Sequence, residues 1–146
     1  MIAFSTITSF SLVRRLPSDG QERPSIYFLI AEASNIEGIR ADIAAEVQVQ
    51  LGVKLRSMLA SEMQADRLQD VFEPQSVVLI TMDRHSPRLI ESLDRNVVLL
   101  TRAASVLLLA DFEMAERALV AAPNLRNRLT YILAIAPDAG FGGAPA

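Results

Sequence analysis

The chain is predicted to be a three-layer α/β sandwich in which a mostly parallel five-stranded sheet carries helices on both faces. Three observations lead there. Short runs of five or six apolar residues alternate along the chain with stretches whose apolar residues recur every three or four positions. Hydrophobic residues make up 51% of the chain and charged residues only 21%, the balance expected when strands are buried on both faces. Finally, 146 residues suit one domain able to bury roughly 70% of its unfolded surface.

Residues 2 to 13 alternate weakly and are expected to form an N-terminal extension or edge strand within residues 1–24, followed by a polar connector from Pro17 to Pro24. The α/β domain proper is assigned to residues 25–137. Its first strand is Ile26 to Ala31. Ile39, Ile43, Val47 and Leu51 then mark one helical face, with Gly52 as the stop signal. Val53 to Leu59 alternates with period two, as a strand near a sheet edge does. The capping-box spacing at Ser61 to Gln64 predicts a helix burying Leu68, Val71 and Phe72 and ending at Pro74. Val77 to Met82 reads as a central strand. Ser86-Pro87 supplies a cap and a first-turn proline for a helix reaching Arg102, with Leu89, Ile90, Leu93, Val97 and Leu100 inward. Val106 to Leu109 is the next strand, and Asp111 is placed to cap a helix bearing Phe112, Ala115 and Leu119 that ends at Pro123. Tyr131 to Ala136 completes the sheet, and residues 138–146 form a glycine-rich tail.

The loop between the first strand and its helix occupies the position that carries the phosphate loop in nucleotide-binding α/β domains. A phosphate cradle needs glycines that turn backbone N–H groups toward the anion, a lysine for the outer phosphates and a hydroxyl for magnesium. Glu32-Ala33-Ser34-Asn35-Ile36-Glu37 has no glycine, no lysine and two carboxylates. No nucleotide cofactor is therefore expected, and no catalytic residue is assigned.

Ligands of parallel sheets gather beyond the carboxyl ends of the strands, which directs attention to the rim acids Glu32, Asp83 and Asp111. Three carboxylates at one rim suit magnesium, but capping and solvation account for them equally, and no metal site is assigned. His85 lies between Asp83 and Ser86, yet neighbours in one loop do not make a triad. The chain has no cysteine, which removes thiolate metal sites, disulfides and a cysteine nucleophile. A net charge of −3 and an isoelectric point near 5.1 argue against nucleic acid. No apolar run approaches the ~18 residues of a membrane span, the N-terminus is not a secretory signal, and the expected location is cytoplasmic.

The Ser92-Leu93-Asp94-Arg95-Asn96 helix, the Ser105 to Leu109 strand and the Ala122-Pro123-Asn124-Leu125 turn together resemble the inactive STAND-type NTPase domains of prokaryotic conflict systems over residues 25 to 130. Those domains look like P-loop NTPases that have lost the phosphate loop. The resemblance implies a non-catalytic regulatory or adaptor module with a protein partner, self-association being compatible with it. Such domains are often fused to effector or sensor parts, so a partner is expected in trans or on a longer chain. A weaker resemblance links Val77 to Asp83, followed by Pro87 and with Glu32 nearby, to two-component receiver domains. Ala110 replaces the expected Ser or Thr and Ala136-Pro137 lacks the lysine, so that resemblance implies a degenerate receiver. A small-ligand-binding α/β domain is the remaining alternative. For a domain acting by contact, the polar face of the Ser86 to Arg102 helix, with Arg88, Glu91, Asp94, Arg95 and Arg102, is the candidate docking surface.

Overall fold

A computed structural model describes residues 6–19, 25–53, 55–83 and 86–137. Lys54, His85 and the 138–146 tail lie outside the described residues. A parallel sheet of six strands, not five, is ordered β1-β6-β2-β5-β4-β3. These strands are β1 (Thr6–Thr8), β2 (Ser25–Ile30), β3 (Leu55–Leu59), β4 (Val77–Thr81), β5 (Ser105–Ala110) and β6 (Tyr131–Ala136). The sixth strand is the short β1, which pairs with β6 at the sheet edge. The extended stretch predicted there stops at Thr8, where helix α1 (Ser9–Asp19) begins. The Thr8 hydroxyl accepts a hydrogen bond from Ser11 N at 3.3 Å, the usual service of a threonine cap, and Leu12, Val13 and Leu16 are buried. Pro17, Ser18 and Asp19, predicted as connector, thus belong to α1, and the remaining residues 20–24 lie outside the described residues.

Because successive strand residues point to opposite faces, the sheet has two cores. Tyr27, Leu29, Leu79, Leu107 and Leu109 pack with α1 and with α2 (Ile36–Glu46) on one face. Ile26, Phe28, Val78, Ile80, Val106 and Leu108 face the other helices. Those are α3 (Pro87–Arg95), α4 (Val97–Leu100), α5 (Phe112–Ala121) and α6 (Pro123–Arg128). Three layers result. The last turn of α2 widens over Val47–Leu51, and Gly52 closes it with φ of 67°, a left-handed cap that glycine adopts without penalty.

Two helix assignments are corrected. Residues 60–73 form two short 3₁₀ turns, Ala60–Glu62 and Leu68–Asp70, instead of a helix. Leu68, Val71 and Phe72 are buried as predicted, but Arg56 on β3 donates to the carbonyls of Asp70 and Val71 at 3.1 Å, tying down a segment that a helix would carry away. The Ser86 to Arg102 helix divides at Asn96, whose side-chain amide donates to Ser92 O at 2.9 Å while its backbone leaves the helical region at φ −112°, ψ 35°. Helix α5 ends at Ala121, before Pro123 as predicted, and Pro123 then starts the short helix α6, which the sequence reading did not include.

Asp94, assigned to a free polar face, is turned toward α6. Its Oδ1 accepts from Leu125 N at 2.9 Å and its Oδ2 from Asn124 Nδ2 at 3.2 Å. The Leu-Asp-Arg helix and the Ala-Pro-Asn-Leu turn are thus two halves of one contact.

Candidate functional site at the carboxyl rim of the sheet

A cleft of about 1030 Å³ opens where β2, β5, β6 and β1 end. Its floor is the strand ends themselves, with Ile30 and Ala31 from β2 and Ala134, Ile135 and Ala136 from β6. Ala31 N donates to Ala110 O at 3.0 Å, so the two central strands stay paired up to the rim. The wall is the β2–α2 loop, Glu32 to Asn35, facing the first turn of α5 with Asp111, Phe112 and Glu113.

The loop is tight where a phosphate cradle would be open. Ala33–Asn35 makes a 3₁₀ turn that runs directly into α2, and Asn35 N donates to Glu32 O at 2.8 Å, so this amide is spent inside the turn. No residue from Glu32 to Asn35 has a positive φ, Gln75 and Gly52 being the described residues that do. Without glycine the chain keeps ordinary dihedrals and does not form the alternating right- and left-handed nest with which a phosphate loop wraps an anion.

Of the three rim acids, the structure brings together Glu32 and Asp111 and leaves Asp83 out. Asp111 Oδ1 accepts from Met114 N at 2.8 Å, the capping role its position predicted. Asp83 sits beyond β4 and accepts from both the backbone N–H and the hydroxyl of Ser61, bracing the turn after β3. Among the described residues no group of three acidic or histidine side chains is arranged to hold a metal ion.

Two lining residues were not singled out as site residues by the sequence. Phe112, in the first turn of α5, is 57% exposed. Glu113 follows it into the cleft. Among the described residues no lysine or arginine lines the cleft, and Glu32, Asp111 and Glu113 make that lining electronegative, the wrong sign for a phosphate.

Arg88 and Arg95 lie elsewhere, on α3, beside two hollows of about 350 and 290 Å³ shared with residues 63–66. Both arginines are exposed. Arg95 pairs with Glu91 at 3.4 Å, and Ser92 Oγ donates to Ala65 O at 2.7 Å beneath them.

The strand order also bears on the receiver resemblance. In a flavodoxin-like sheet the first strand lies between the second and third, in the order 2-1-3-4-5, whereas here β2 lies between β6 and β5, and β4 between β5 and β3. The Asp83 strand is therefore not beside the Glu32 strand, and the acidic cluster that a receiver needs is not assembled.

No protein-family model matches the sequence, and no curated protein does. Solved structures do match the fold. The ORC2 protein of Aeropyrum pernix in its ADP form is similar with a TM-score of 0.59 at 10% identity, over 88% of this chain and 47% of that one. A DNA polymerase III gamma subunit-related protein from Thermotoga maritima is similar with a TM-score of 0.58 at 10% identity and the same coverage. This chain spans about half the length of each. At this identity the likeness shows a shared α/β fold. Among the described residues no helix is long and apolar enough to cross a membrane.

Proposed function

We propose that the chain is a non-catalytic regulatory module, a P-loop NTPase-like domain of the inactive STAND type that works through protein contact, in the cytoplasm, in bacterial defence or signalling. The observation that carries this reading is the β2–α2 loop. In a fold shared with a protein solved in its ADP form, the loop offers neither glycine nor lysine, uses Asn35 N internally and opens onto carboxylates. A magnesium nucleotide would meet repulsion with no compensating donor. The regulatory role and the protein partner follow from the resemblance of the Asp94 helix and the Asn124 turn to the inactive STAND pattern.

Calorimetric titration with magnesium–ATP and magnesium–GTP tests the reading, alongside a phosphate-release assay. The expected result is no saturable heat and no release. A micromolar Kd, or steady release lost on changing the 32–37 loop, overturns it. A second reading is favoured by the apolar floor of the cleft: pockets of such size at strand ends take small molecules, and an uncharged or cationic ligand would fit these walls.

A further inference from the structure

Two exposed pairs of opposite charge lie at opposite ends of the strands. At the carboxyl rim, Glu32 and Glu113 are exposed and make no ion pair among the described residues. At the opposite end, where β2 and β6 begin, Arg126 and Arg128 occupy the last turn of α6. The hydrogen bonds between Thr130 and Ile26 at 2.7 and 3.0 Å fix that end of α6 to the start of β2. Both arginines are exposed and lack an ion pair among the described residues, although Arg126 Nη1 donates to Leu119 O at 3.1 Å.

Each end also shows an uncovered apolar side chain on the same helix, Phe112 at 57% exposure on the acidic end and Val120 at 72% toward the basic end. Helix α5 has 10 residues and holds these ends about 15 Å apart, so the acidic cleft cannot meet the basic turn within one molecule. Two copies can join them, and only head to tail.

We infer that the acidic cleft of one copy receives the α6 end of a second copy, Arg126 and Arg128 lying against Glu32 and Glu113 while the apolar floor and Phe112 cover Val120. Such a contact is heterologous: it uses two different surfaces, leaves one of each free, and builds chains or rings instead of a closed symmetric dimer. Exposed ion pairs are weak, so assembly needs high protein concentration and low salt. The inference rests on the cleft serving protein and not nucleotide.

Sedimentation velocity on the full chain tests it. The sedimentation coefficient should rise with concentration at low ionic strength and return to the monomer value in about 0.5 M salt. Two doubly reversed variants, Glu32→Lys with Glu113→Lys and Arg126→Glu with Arg128→Glu, should each remain monomeric, with melting temperatures near the parent's. Mixed one to one, they should associate again, because the acidic turn of one then fits the basic cleft of the other. A parent that stays monomeric at every concentration and salt overturns the inference, as does association that survives either reversal or a mixture that fails to associate. Magnesium–ATP separates this from the functional reading. If nucleotide dissolves an assembly that passes the mixing test, the contact stands and the non-nucleotide reading falls.

Discussion

Replacing Asp94 by alanine removes the clamp between α3 and α6, and the structure sets the magnitude. Asn124 is exposed, so its side-chain amide returns to water at little cost. The Leu125 amide is different. It is the third residue of α6 and one of the helix's unsatisfied donors, which Ala122 at the cap position has no side chain to serve. Losing a cap of this kind costs about 1.5 kcal/mol, toward the upper part of the capping range because the acceptor is a carboxylate. At an unfolding entropy of about 0.3 kcal/mol/K for a chain of this length, the melting temperature should fall by about 5 °C. Asp94→Asn keeps an oxygen for Leu125 N and should lose less than half as much, while Arg95→Ala next to it should change the melting temperature by no more than about 1 °C. Calorimetry or circular dichroism melts of the three variants make the comparison. An Asp94→Ala protein melting within 1 °C of the parent would refute the clamp.

Gly52→Ala should lower stability by about 1 kcal/mol in denaturant titration, for conformational reasons alone, since the added Cβ meets no atom within 4 Å but the site keeps its positive φ. Thr81→Val should leave stability unchanged or raise it by up to about 1 kcal/mol, because the buried Thr81 hydroxyl has no hydrogen-bond partner among the described residues; a loss of about 1 kcal/mol or more in denaturant titration would contradict this. Arg88→Glu combined with Arg95→Glu should leave the melting temperature within about 1 °C, as the Arg95–Glu91 pair is some 70% exposed on each side, while weakening capture of a partner if the α3 surface is where one docks. A sharp fall in melting temperature would instead give these arginines a structural role.

The central strands were legible because burial on both faces leaves a run such as Val106 to Leu109 with no polar residue, and few other structures tolerate that. Helix stops written in backbone chemistry, such as Gly52, were legible for the same local reason. The 60–73 segment was not. Its buried Leu68, Val71 and Phe72 fit a helical stripe, but Arg56, from another strand, decides the conformation by holding two carbonyls, and tertiary contacts of this kind override local preference. In α1 the signal was present and outweighed: Thr8 as cap and Leu12, Val13 and Leu16 at helical spacing carry a pattern that the weak alternation before it obscured. The candidate site divides along the same line. The chemistry of the β2–α2 loop can be read from six letters, whereas the separation of Asp83 from Glu32 depends on strand order, which no local pattern encodes.

The claim on which the functional account depends is that the β2–α2 loop does not hold a nucleotide. The most direct measurement is a titration of isotope-labelled protein with magnesium–ATP, following the backbone amide resonances of Ala31 to Glu37 and of Asp111 to Glu113. The account predicts amide shifts that stay flat to millimolar nucleotide. Saturable shifts in the Ala33 to Ile36 amides, reversed by an excess of unlabelled competitor nucleotide, would contradict it.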